Sequence, residues 1–139
     1  MDIRPLDDTL SAAPQVAPED LQSIATQGYR SVISNRPDGE APDQPSAAEI
    51  ATAAKAAGLE FRHIPVVGGA IGESDVAACQ AALTDLPGPI FGFCRTGTRT
   101  TTLWALARKD EQSADGLIAT ARAAGYDLAG LKSRLQETA

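Results

Sequence analysis

The sequence predicts an α/β fold: a central, mainly parallel sheet flanked by helices and followed by a helical C-terminal segment. Three observations carry this. Apolar, strand-like runs alternate with alanine-rich helical runs through the middle of the chain in the order βαβαβα, the pattern of parallel strands joined by helical crossovers. Glycine, proline and short polar residues punctuate the changes between them. The 139 residues, 43% of them hydrophobic, suffice for one domain, 1–139, with its own core.

Each element has a local reason. Ile3 to Leu6 and Thr9 to Ala12 are expected as short edge strands. Val16 to Ala25 reads as a short helix, opened by Pro18, Glu19 and Asp20 and closed before Gly28. Arg30 to Ser34 reads as a strand. Asn35 to Pro45 is a polar loop with three prolines and a Pro37-Asp38-Gly39 turn. Ser46 and Glu49 make a capping box for a helix that runs to Ala57 and stops at Gly58. Leu59 to Val67 is the next strand. After the flexible Gly68 to Gly72 loop, Ser74 is expected to cap a helix reaching Leu86. Pro87 and Gly88 turn the chain into the apolar run Pro89 to Phe93. A helix carrying Trp104 follows, then helical stretches over 114–124 and 128–136, separated by Gly125 with Asp127 as a cap.

Charge and composition narrow the function. A net charge of -6 with no basic stripe excludes a nucleic-acid surface, which needs clustered lysine and arginine. No apolar run approaches the roughly 18 residues of a membrane span. The N-terminus, Met1 to Asp8, is too acidic for a secretory signal, so the expected location is the cytoplasm. Two cysteines, Cys79 and Cys94, do not make a disulfide scaffold. A single histidine cannot build a zinc centre, and no cofactor is expected. The expected partner is a small anionic substrate or phosphoester; oligomeric state is not legible.

Phe93 to Thr100 carries the chemistry. Cys94 ends an apolar strand, and Arg95, Thr96, Gly97, Thr98 and Arg99 lead into a helix. Only a thiolate is a strong nucleophile, and a helix N-terminus or a neighbouring arginine lowers a thiol's pKa from ~8.5 towards roughly 3.5–7.5. The same amides and the Arg99 fork suit the oxygens of an anion. Gly97 lets the loop turn inward. Thr100 is placed to hydrogen-bond the sulfur and ease its departure in a second step. Cys94, Arg99 and Thr100 are thus the catalytic candidates, and Arg95, Thr96, Gly97 and Thr98 form the anion loop.

Cys94 to Thr100 resembles the C-x-x-G-x-x-R-[S/T] loop of dual-specificity phosphatases, with one residue fewer between cysteine and arginine. It is also similar to the C-R-x-G-x-R loop of rhodanese sulfurtransferases. Three further stretches join the pattern: Asn35 to Glu40, His63 to Val66, and Leu86 to Pro89 running on through Cys94 to Leu106. Together they resemble the bacterial β-lactamase-hydrolase-like protein, phosphatase-like domain family, over roughly residues 2 to 110. That resemblance implies a dual-specificity-phosphatase-like fold and either phosphoryl or sulfur transfer at Cys94.

Two departures from the phosphatase pattern stand out. Phe93 sits where many phosphatases have histidine, and Pro65 to Glu73, where a general-acid aspartate belongs, contains no aspartate. Glu73, Asp75 and Asp38 are the remaining acids to consider, and Arg36 and Asp38 are candidates for lining the site. Structural roles compete throughout. Asp38 and Gly39 also fit a plain turn, Arg95 also fits a solvent-facing side chain, and His63, Cys79 and Trp104 read as structural. Three functions follow: a phosphatase-like hydrolase forming a phosphocysteine, a sulfurtransferase forming a Cys94 persulfide, and a non-catalytic anion-binding or redox-sensing module.

Overall fold

The computed structural model describes residues 1–137. Five strands form one sheet: β1 (Arg4–Pro5), β2 (Leu10–Ala13), β3 (Ser31–Ser34), β4 (Glu60–His63) and β5 (Ile90–Phe93), in the order β1-β2-β5-β3-β4. β1 runs antiparallel to β2; the other pairings are parallel. The helices are α1 (Leu21–Thr26, entered by a 3-10 turn at Pro18–Asp20), α2 (Ala47–Ala56), α3 (Glu73–Asp85), α4 (Thr98–Arg108), α5 (Ala114–Ala123) and α6 (Lys132–Leu135).

Side chains alternate across the pleat, so a parallel strand covered on both faces is apolar at nearly every position. β5 follows this rule. Phe91 and Phe93 join Val32, Leu21, Ile24 and Ile50 in the core under α1 and α2, while Ile90 joins Leu103, Trp104 and Leu117 in the core on the other face. Gly92 faces α4, where an added Cβ would lie 2.8 Å from the Thr100 methyl. The missing side chain lets the first turn of α4 settle on the sheet.

Four differences from the sequence expectations have physical causes. Leu10–Ala13 is interior rather than an edge, because it pairs with β5 on one side and β1 on the other. β4 ends at His63, ahead of Pro65, which has no N–H to give. Gly72, not Ser74, is the N-cap of α3, and the Asp75 carboxylate accepts from the Gly72 N–H at 2.9 Å. The C-terminal helix is split into a 3-10 turn at Ala129–Leu131 and the short α6; Gly130 lies within it and weakens helix formation. No helix among the described residues is long and apolar enough to cross a membrane.

Candidate active site

Because β2, β3, β4 and β5 are parallel, their C-terminal ends open on one edge of the sheet. That edge is where open α/β sheets bind ligands. The loops leaving it are 14–17, 35–46, 64–72 and 94–97. They are tied together: the Cys94 N–H donates to Ala13 O (3.4 Å), Gln15 N–H to Arg95 O (3.3 Å), Asn35 N–H to Phe93 O (2.8 Å) and Val66 N–H to Asn35 O (3.1 Å).

Cys94 sits at the floor, with no exposed surface. Gly97 takes φ +95 at the N-cap of α4, a region where side chains are strained. In this conformation its N–H points back and donates to Cys94 Sγ at 3.1 Å. Its carbonyl accepts from the Thr101 N–H (3.0 Å) and the Thr101 hydroxyl (2.9 Å), which starts the helix. The Thr96 hydroxyl donates to Thr98 Oγ1 (3.1 Å) and accepts from the Thr98 N–H (3.4 Å). Tyr126, reached from the end of α5, donates its hydroxyl to the Thr96 carbonyl at 3.4 Å.

Arg99 is held in place by acceptors on two other loops. Its Nη1 donates to Glu40 Oε2 (2.6 Å) and Val66 O (3.1 Å), and its Nη2 to Glu40 Oε1 (2.8 Å). Arginine has five N–H donors. Three are used, and the Nε–H and the second Nη2–H meet no oxygen acceptor among the described residues, while the nearby Cys94 sulfur, after Glu40, also raises the Arg99 pKa. The two N–H groups form the side-on fork that matches two oxygens of an oxyanion. Glu40 also accepts from Arg36 Nε (3.0 Å), and Arg36 Nη1 donates to Gln15 Oε1 (3.1 Å). Hydrogen bonds from Arg99, then from Arg36, hold the Glu40 carboxyl at about 2, below its ordinary 4.5. The same bond to Glu40 raises the Arg99 pKa further.

An open cavity of about 540 Å³ lies over the loop, lined by Arg36, Glu40, Ala41, Gly68, Arg95, Thr96, Thr98 and Arg99. A larger hollow of about 650 Å³ lies between β1 and the end of α5. It lies away from the cysteine loop, whereas the smaller cavity is lined by Arg99 and by the loop residues that follow the buried Cys94, so chemistry selects the smaller cavity.

The sequence candidates divide by position. Cys94, Arg95, Thr96, Gly97, Thr98 and Arg99 come together. Arg36 borders the cavity but is buried, with its Nε on Glu40 and its Nη1 on Gln15. The Thr100 hydroxyl donates to Asn35 Oδ1 (2.8 Å), whose amide in turn donates to Ile64 O (3.0 Å), so its proton is committed to the loop after β3. Asp38 accepts from the Ala47 N–H at the start of α2 (2.8 Å), Asp75 from Gly72, and Glu73 from Arg134 Nη2 (3.5 Å). None of these three acids lines the cavity. His63 Nε2 donates to Arg36 O (2.9 Å), a structural bond. Burial pushes the Cys79 thiol up to about 12, and both cysteines are free.

Tyr126 was not singled out by sequence, and Asn35 and Glu40 only as the ends of a loop weighed for lining the site, in which Arg36 and Asp38 were preferred. For Glu40 a signal existed: it stands four residues after Arg36, in a loop leaving a parallel strand. Tyr126 had none, because it lies 27 residues beyond Arg99 in a different element.

Comparison with known proteins agrees with this architecture. Residues 2–110 match the family described as the β-lactamase hydrolase-like protein, phosphatase-like domain, and the chain belongs to it. A β-lactamase hydrolase-like protein of Agrobacterium fabrum is 40% identical over 110 residues, covering 79% of this chain and 24% of that protein. The chain therefore spans about a quarter of that relative. The crystal structure of a candidate phosphatase from Neisseria meningitidis superposes with a TM-score of 0.88 at 36% identity, covering 98% of this chain and 97% of that one. A Cys→Ser form of Pseudomonas aeruginosa TpbA in complex with pTyr shares the fold at a TM-score of 0.64 and 14% identity, covering 99% and 91%.

Proposed function

We propose that this member of the phosphatase-like domain family is a cysteine-dependent phosphomonoester hydrolase. One observation carries the reading: a buried cysteine and an arginine with an unused side-on fork meet at a helix N-terminus, with the Gly97 amide already on the sulfur. The family's phosphatase-like character and the pTyr complex of a structural neighbour support it.

In the first step Sγ attacks phosphorus. The S–P bond forms as the bond to the leaving oxygen breaks, and the electron pair departs with that oxygen. Charge spreads over the three remaining oxygens, where the Arg99 fork and the amides opening α4 stabilise it. Water then attacks phosphorus, phosphate leaves and the thiolate is regenerated. Cys94 has no exposed surface in this conformation, so side chains covering the sulfur must move aside for the phosphoryl group to reach it. Glu40 holds Arg99 for this task. With its pKa held at about 2 it is ionised near neutral pH, so it does not supply a proton to the leaving group.

No other acid lines the cavity, so the favoured substrates are aryl phosphates and anhydrides, whose leaving groups depart unprotonated. The test is hydrolysis of p-nitrophenyl phosphate. Activity sensitive to vanadate and lost in Cys94→Ser is expected; full activity in Cys94→Ser would defeat the reading. One observation favours a persulfide instead, the cysteine-to-arginine spacing being one residue short of the phosphatase loop. A +32 Da adduct on Cys94 after polysulfide treatment, in a protein that hydrolyses no phosphate ester, would select that alternative.

A further inference from the structure

Tyr126 lies outside the family-matched residues 2–110, yet it touches the centre of the cysteine loop. Its position follows from how α5 ends. Gly125 adopts φ +95, its N–H donates to Arg122 O (2.9 Å) and the Tyr126 N–H donates to Ala121 O (2.9 Å). This is the Schellman arrangement, which turns the next residue back across the helix end. Arg4 completes the seat. Its Nη1 donates to Ala124 O (2.8 Å), and its guanidinium lies 5.5 Å from the centroid of the Tyr126 ring. The tyrosine is buried, and its hydroxyl fills the space that a Cβ on Gly97 would need.

The hydroxyl meets one end of a single peptide unit. The Thr96 carbonyl accepts from Tyr126 and has no other partner among the described residues; the N–H of the same peptide, that of Gly97, donates to Cys94 Sγ. In a planar trans peptide the C=O and N–H point in opposite directions. Anchoring the carbonyl outward therefore aims the N–H inward. A glycine flanks this peptide, and glycine tolerates both signs of φ, so the loop's own backbone does little to oppose a flip.

We propose that Tyr126 is a positioning residue for the anion loop: its hydroxyl fixes the Thr96–Gly97 peptide so that the Gly97 N–H stays on the Cys94 sulfur and stabilises the thiolate. The effect passes through a hydrogen-bond chain, hydroxyl to carbonyl to N–H to sulfur, in which each bond polarises the next. The charged groups around this chain are Arg99 on α4, with Glu40 and Arg36 behind it, and Arg4 with Asp2 beside the tyrosine ring. Burial raises the tyrosine's own ionisation above its ordinary value, which keeps it a donor. The proposal rests on the reading of Cys94 as a thiolate nucleophile, and its test is made on the thiolate rather than on turnover.

Tyr126→Phe removes the hydroxyl and keeps the ring. Thiolate absorbance near 240 nm is followed between pH 5 and 9, as the difference from the matching Cys94→Ser protein. Cys79 stays silent in this range because its thiol is pushed up to about 12. At the pH where the parent thiolate is half formed, the variant should give about half the parent signal, corresponding to a roughly threefold weaker acid constant. Superimposable profiles in a variant that melts cooperatively would overturn the proposal. A second measurement needs no variant: in the parent protein the Gly97 amide should exchange slowly and its resonance should move in Cys94→Ser, and a freely exchanging Gly97 amide would overturn the proposal equally. A shifted profile in a protein that hydrolyses no phosphate would leave the positioning role standing and remove the hydrolase reading. Cys94-dependent hydrolysis with an unshifted profile would do the reverse.

Discussion

Two loops leave the same edge of the sheet on either side of β3, and they are built to opposite standards. The β5–α4 loop, residues 94–97, is tied to the ends of β2 and β3 by backbone hydrogen bonds and aims one amide at a buried sulfur. The β4–α3 loop, residues 64–72, leaves Val67 60% exposed and contains no carboxylate. It serves the site through the Val66 carbonyl on Arg99, the Ile64 carbonyl on Asn35, the Val66 N–H on Asn35 O and Gly68 in the cavity wall. On the proposed hydrolase reading, the difference separates two tasks of phosphoryl transfer. Holding the anion and attacking it are provided for by hydrogen-bonded backbone, whereas delivering a proton to the leaving group is not.

The contrast predicts a steep dependence on the leaving group. With no acid in 64–72, kcat/KM for an alkyl phosphate should fall below that for p-nitrophenyl phosphate by at least about 10²–10⁴-fold, the usual worth of general-acid help. Comparable rates for the two esters would show that an acid reaches the site after all. On the anion-holding side, Arg99→Lys replaces a planar fork with a point charge and should cost about 10²–10³-fold in kcat/KM for the aryl ester.

Glu40→Gln probes the link between the two loops, since Glu40 and Val66 hold the same guanidinium. Losing a charge-assisted bond should cost about tenfold in kcat/KM. It should also change the acid side of the melting curve. The folded-state pKa of Glu40 is about 2, below its ordinary 4.5, so its stabilisation is complete above about pH 4.5 and is lost as pH falls towards 2. Parent and variant melting temperatures, plotted against pH, should therefore converge across that window. Parallel curves would show that Glu40 contributes nothing specific. Asp38→Asn, Glu73→Gln and Asp75→Asn, assayed on the aryl and the alkyl ester, should each stay within about twofold of the parent. A large loss on the alkyl ester with the aryl ester spared would identify the missing acid.

Much of the fold was legible because its signals are local. The Ser46–Glu49 capping box, the glycines that stop helices and the alternation of Phe91 and Phe93 with Ile90 each act within a few residues. Misreadings arose where the deciding partner was distant. Leu10–Ala13 carries no mark of an interior strand, and only its pairing with β5, about eighty residues later, makes it one. One misreading was local instead: Gly72 rather than Ser74 caps α3, because the Asp75 carboxylate reaches back three residues to the Gly72 N–H.

The same division runs through the site. The strand-end cysteine, the glycine that permits a positive φ and the nearby arginine lie within six residues, so chain order alone sets their chemistry and spacing. Which N–H groups of Arg99 remain free, which carboxylate holds it, and which way the Thr100 hydroxyl faces depend on Glu40, Val66 and Asn35, all more than thirty residues away in sequence. Tyr126 on the Thr96 carbonyl belongs to this second group. Hydrogen bonds are short-ranged and directional, so contacts between remote segments exist only once the parallel sheet has gathered the four strand ends on one edge.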